Sequence, residues 1–175
     1  MTKRKKIRLT LDVVFLALLV AIDQISKYYA TLYLKGREAF SVIDGVLELK
    51  YLENQGAAFG MLQNQKYFFI FVAVVILLAI GYVLFCLPAQ KKYRLMQALL
   101  VLIAAGAIGN MIDRLRQNYV VDFIYAVIIR FPIFNFADIC VTVSTFLLIF
   151  AFLFYYREED LNFLTVQAKK TREVE

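Results

Sequence analysis

"YFFIFVAVVILLAIGYVLFCL", residues 67–87, runs for a whole membrane thickness without one charged side chain. Coiled as an α-helix it spans about 30 Å, the depth of a bilayer's hydrocarbon core. The same absence of charge recurs over 95–112 and 139–156, and residues 9–34 are apolar apart from Asp12, Asp23 and Lys27. Hydrophobic residues fill 62% of the 175 positions and the mean hydropathy is +0.67, whereas soluble domains run nearer half apolar. The fold class is therefore an α-helical integral membrane protein. It reads as one domain with four transmembrane helices at about 9–34, 67–87, 95–113 and 137–156.

The basic residues orient the bundle. Segments 1–8, 88–94 and 157–175 hold twelve Lys and Arg in 34 positions, while loops 35–66 and 113–138 hold seven in 58. The basic side faces the cytoplasm, so both termini are expected inside and the two long loops outside. The net charge of +6 thus reads as membrane topology. Its cations are scattered over membrane flanks and form no nucleic-acid footprint. "MTKRKK" before an apolar run imitates a secretory leader, but no small-x-small cleavage site follows, which predicts an uncleaved signal-anchor helix. The charged tail, about 160–175, is expected to be cytosolic and dispensable.

Cys86 and Cys140 fall near opposite ends of their helices, so no disulfide is expected. The chain has no histidine. That removes Ser-His and Cys-His catalysis and the usual zinc sites, and no cofactor or metal is expected.

The first outer loop carries strand signals. Leu47, Leu49 and Tyr51 alternate with Glu48 and Lys50, and the turn dipeptide Asp44-Gly45 separates them from "FSVI". A small extracytoplasmic sheet is the expectation. In "NQGAAFG", residues 54–60, Gly56 and its small neighbours leave room for close backbone approach, and a short surface helix is expected in the rest of the loop. The second outer loop is too short for a domain and must fold back on the helix ends.

The polar residues each have a structural explanation as well as a chemical one. Asp23 and Lys27, four apart, share a helix face and can enter the membrane as an ion pair. Asn135 and Asp138 have the spacing of an N-cap and a first-turn acid. Asn110, Asp113 and Arg114 read as an interfacial cluster in which Arg114 neutralises Asp113, and Asn54 as a turn residue. Asp122, between Val120-Val121 and Phe123-Ile124, fits none of these. Topology brings it near Asp138, and two acids in a poorly solvated place share one proton. Such a pair can hydrolyse a peptide bond, the ionised acid activating water and the neutral one polarising the carbonyl.

The set "DQISK" (23–27), "NQGAAFG" (54–60), "GNMIDR" (109–114), "VVDF" (120–123) and "FNFAD" (134–138) closely resembles the lipoprotein signal peptidases, signal peptidase II of bacteria. The five motifs stand in the family's order over essentially the whole chain. The resemblance implies an aspartic endopeptidase of the plasma membrane, with four helices, a small extracytoplasmic β-cradle and a short surface helix. It implies a lipid-modified prolipoprotein as substrate, cut just before a cysteine carrying diacylglycerol, with membrane lipid around it and no nucleic-acid partner. The enzyme is expected to act as a monomer and to be blocked by the cyclic peptide globomycin. By motif match the catalytic pair is Asp122 and Asp138, and Asp23, Lys27, Asn54, Gly56, Asn110, Asp113, Arg114 and Asn135 surround it.

Other classes fit parts of the pattern. Acids in membrane helices also mark proton- or ion-coupled carriers, but Asp12 alone lies in the inner half of the bundle. Ser26-Lys27 are adjacent and point to different faces of a helix. A hard cation on Asp113, Asp122 and Asp138 is a third reading.

Overall fold

In a computed structural model, which describes residues 3–56 and 62–163, four helices cross the length of the molecule. They are α1 (Lys3–Leu34), α2 (Lys66–Cys86), α3 (Arg94–Gln117) and α4 (Phe136–Phe154), and all are long and apolar enough to span a bilayer. Arg8 donates to the carbonyls of Leu87 and Pro88 at 2.8 and 2.7 Å, and Lys92 pairs with Asp160 at 2.6 Å. The start of α1, the α2–α3 link and the chain leaving α4 therefore gather at one end of the bundle.

A three-stranded antiparallel sheet closes the other end, in the order β1 (Phe40–Ile43), β2 (Leu47–Asn54) and β3 (Val120–Ala126). Asp44-Gly45 turns the first hairpin, with Gly45 at φ +70°, where glycine meets no steric penalty. The third strand was not foreseen in the loop that contains it. Its residues Val-Val-Asp-Phe-Ile-Tyr-Ala are β-branched and aromatic, but both faces are apolar around Asp122, so no alternation shows. Asn118 ends α3 in the left-handed region at φ +68°, its N–H on the Arg114 carbonyl at 3.2 Å, and the chain turns directly into β3.

Beyond β3 the chain reverses at Arg130 (φ +49°), and Phe134 pairs back onto Ile124. This fold-back delivers Asn135, the N-cap of α4, to the flank of β3. The surface helix expected after Gly56 lies partly outside the described residues, and Leu62–Asn64 form a turn. In the tail, 164–175 lie outside the described residues, while Phe163 packs edge-on against Tyr93 at 5.6 Å.

Helix α3 is the axis of the bundle. Half of its membrane window is buried within the protein, against 6% for α2. Small residues at Ala104, Ala105, Gly106 and Gly109 allow that approach, the usual means by which membrane helices pack. A methyl group on Gly106 would meet the Ala137 carbonyl and the Val141 side chain of α4, and one on Gly109 would meet the Asp23 carboxylate of α1. The outward faces, with Phe71, Leu78, Phe146, Phe150 and Leu153, are exposed and apolar, as lipid contact requires. Cys86 and Cys140 are buried free thiols.

Because the Gly106 contact is to backbone, Gly106→Ala must push α3 and α4 apart. The expected loss is about 1–3 kcal/mol, read as a lower unfolding midpoint in detergent, and an unchanged midpoint would show the contact to be soft.

Candidate active site

The sequence-predicted polar residues converge where the bundle meets the sheet. Asp122 is the third residue of β3 and only 1% exposed. Asn54, the last residue of β2, donates through Nδ2 to its Oδ2 at 2.8 Å, and Asn135 donates through Nδ2 to its Oδ1 at 2.6 Å. Asp138 sits in the first turn of α4 and is partly open. Its Oδ1 accepts from Asn110 Nδ2 at 2.8 Å, and its Oδ2 from the Asn135 backbone N–H at 3.1 Å. The Asn135 Oδ1 accepts in turn from the Asp138 N–H at 3.0 Å. The N-cap expected for Asn135 is thus present as a capping box. The same residue also bridges the two acids, with its side chain on Asp122 and its backbone on Asp138.

Behind this pair lies a buried charge cluster. Lys27 Nζ contacts Asp23 Oδ2 at 2.9 Å, Asp113 Oδ2 at 3.0 Å and Asn110 Oδ1 at 2.8 Å, so three acceptors meet the three donors of an ammonium. The expected Asp23–Lys27 pair is therefore real, and it reaches well beyond α1. Asp23 Oδ1 accepts from the Ala137 N–H of α4 at 3.0 Å, and Asp113 Oδ2 from the Val121 N–H of β3 at 3.2 Å. The reading of Arg114 as the neutraliser of Asp113 is corrected, because Lys27 takes that place.

Arg114 has another use. It donates to the Gly56 carbonyl at 3.1 Å and lies 4.5 Å from the centre of the Phe69 ring. Gly56 is buried, and its N–H donates to Asn54 Oδ1 at 2.9 Å. A chain of contacts therefore runs from Arg114 through Gly56 and Asn54 to Asp122. Ala57–Gly60 of "NQGAAFG" lie outside the described residues.

Gln24 was not singled out from the sequence, although it lies inside "DQISK". Its Nε2 donates to Asp113 Oδ1 at 2.9 Å, to Asp23 Oδ2 at 3.1 Å and to the Gly109 carbonyl at 3.3 Å. An amide beside an acid in a membrane helix was the signal available. Gly109 matters for a related reason, since it leaves space for the Asp23 carboxylate.

Burial and the negative charge of Asp138 push the Asp122 carboxyl up to about 7, against the opposing hydrogen bonds from Asn54 and Asn135. An acid that holds its proton near neutrality, beside a second acid, is an arrangement that can supply general acid–base chemistry. Asp113 is turned to Lys27 and Gln24, away from the Asn54–Asn135–Asn110 set. Among the described residues no three acidic or cysteine side chains group as a metal site requires.

Residues 15–154 match the family described as Signal peptidase (SPase) II. The chain is 42% identical over 151 residues to the lipoprotein signal peptidase of Streptococcus pyogenes serotype M5, strain Manfredo. It is 41% identical to that of serotype M3, strain ATCC BAA-595 / MGAS315, and in both cases 86% of this chain and 95% of the relative are covered. Two solved structures of a bacterial membrane enzyme, obtained by the in meso method at 2.3 and 1.9 Å, superpose with TM-scores of 0.74 and 0.72 at 34% identity. They cover 82% and 84% of this chain and 88% and 95% of their own.

The buried ammonium supplies a direct test. Lys27→Met leaves Asp23 and Asp113 facing each other in a dry place, and removing one side of a buried ion pair costs about 3–5 kcal/mol. Unfolding in detergent should show that loss, and Lys27→Met combined with Asp23→Asn and Asp113→Asn should recover part of it. A single variant as stable as the wild type would mean that water reaches the cluster.

Proposed function

The chain belongs to the signal peptidase II family of multi-pass membrane peptidases, and from that premise we propose that it removes signal peptides from diacylglyceryl-modified prolipoproteins, cutting before the lipidated cysteine with a water activated by Asp122 and Asp138. The observation that carries the mechanism is the double role of Asn135, which hydrogen-bonds both acids at the sheet end of the bundle. Termini inside and site near the outer face of the plasma membrane follow from the positive-inside bias of the loops. The enzyme works as a monomer on this reading, since all the acting groups come from one chain.

Burial divides the labour. Asp122, enclosed and raised to about 7, carries the proton and donates it to the scissile carbonyl oxygen. Asp138, partly open, is the anion that takes a proton from water as the water oxygen attacks the carbonyl carbon. When the tetrahedral species collapses, Asp138 passes its proton to the departing amide nitrogen and Asp122 recovers one from the diol. The pair ends as it began. Asn54 and Asn110 hold the acids without adding charge, and Arg114 positions Asn54 through the Gly56 carbonyl. The lipidated substrate is itself embedded in the bilayer, so it reaches the site sideways between helices, along apolar outer faces.

Asparagine preserves the shape of each acid and removes its chemistry. Asp122→Asn and Asp138→Asn should fold and yield no detectable product from a diacylglyceryl-modified precursor. Full cleavage by either variant ends the proposal, and proton flux in liposomes without cleavage by the wild type would favour a carrier.

The pH dependence has a definite sign. The Asp122 carboxyl lies above its ordinary value of 3.8, so the proton is present below about pH 7 and lost as pH rises through it. A step that needs that proton slows on the alkaline side. The kcat/KM profile, which reports the free enzyme, should fall through about pH 7, while kcat, which reports the complex, should fall at higher pH because bound substrate excludes water.

A further inference from the structure

At the end of the bundle away from the sheet, α1, α3 and the α2–α3 link line an open cavity of about 590 Å³ that the hydrolytic reading does not use. Arg8, Lys91 and Arg94 line it as cations, and Asp12 as the one acid. Asp12 is occupied, since both its oxygens accept from Gln97 Nε2, at 2.5 and 2.6 Å. Arg8 is held beside the cavity by its two hydrogen bonds to the carbonyls of Leu87 and Pro88, just past the end of α2. Leu11, Phe15 and Ala98 form the apolar part of the lining and are open to the outside.

A second observation falls on the same place. Among the described residues, two buried side-chain polar atoms lack a hydrogen-bond partner, Arg8 Nε and Gln97 Oε1. Both belong to the lining of this cavity, and Gln97 is only 6% exposed. One is a donor and the other an acceptor. Buried polar groups left unpaired are rare and call for a reason.

We propose that this cavity binds an anionic glycerophospholipid from the leaflet on the side where α1 starts. The phosphate sits among Arg8, Lys91 and Arg94, and an acyl chain runs along Leu11, Phe15 and Ala98. The two unpaired atoms lie buried in the wall of this cavity, in residues that line it beside the other cations. Three cations against one acid, already engaged by an amide, leave a net positive site, and the apolar wall continues toward the bilayer core. The site lies at the opposite end of the bundle from Asp122 and Asp138, so it is independent of the cleavage chemistry.

The test uses the full chain in neutral phosphatidylcholine bicelles doped with phosphatidylglycerol, reading bound lipid by native mass spectrometry and the unfolding midpoint by heating. Wild type should retain phosphatidylglycerol and unfold at a higher temperature as its fraction rises. Losing two cations near the membrane surface in Lys91→Gln/Arg94→Gln should weaken binding about 30-fold. Ala98→Trp, or Ala98→Leu if the larger ring prevents folding, should abolish retention with every charge in place. The control Arg37→Gln/Lys50→Gln, at the sheet end, should bind as wild type. Equal loss in that control, unaltered binding by the filled variant, or displacement of the lipid by equimolar free glycerol phosphate would each overturn the assignment.

Discussion

One ammonium inside the membrane organises this protein. Lys27 is 3% exposed, and a lone cation there would be costly to bury. Asp23, Asp113 and Asn110 remove that cost by meeting all three of its donors. Each acid also accepts a backbone N–H from another element. Asp23 takes an orphan N–H at the start of α4 and Asp113 takes the first paired region of β3. One side chain of α1 thereby fixes two α3 residues directly and two further elements at one remove. The register of α4 and β3 against the bundle depends on it.

Asp122 and Asp138 are kept a step away from that charge. Lys27 reaches Asp138 only through Asn110, and Asp122 only across the Asn110–Asn135 contact at 3.2 Å. Had the ammonium touched Asp122, an ion pair would have held the carboxyl ionised. Asparagines transmit position and polarity without net charge, which leaves burial and the neighbouring acid to raise Asp122. The separation of the Lys27 charge cluster from Asp122 and Asp138 is thus made by two amides, Asn110 and Asn135.

Much of this was legible before the fold was known. The four helices follow from uncharged runs of membrane length, and the first hairpin from Asp44-Gly45 between alternating residues. Asn135 and Asp138 announced a cap by spacing alone. What stayed hidden were relations set by tertiary contact. The strand around Asp122 is apolar on both faces, so periodicity had nothing to report. Arg114 and Asp113 are neighbours in sequence, yet successive residues on a helix point apart, and the arginine serves the Gly56 carbonyl instead. Gln24 looked like a spectator between two charged residues, although its amide ties two acids and an α3 carbonyl.

The asymmetry of the two acids comes from the elements that carry them. A strand residue facing inward from a sheet that roofs the bundle is covered on both sides, and Asp122 is 1% exposed. A first-turn residue of a helix stands at an edge, where backbone N–H groups point outward and an anion is well placed. Asp138 is therefore partly open while Asp122 is enclosed. Exchanging the two elements would exchange the burial of the two acids, because the side chains are chemically the same. The difference in burial between the two acids is one of topology, written by the short fold-back from Arg130 to Asn135 that brings a strand and a helix start together.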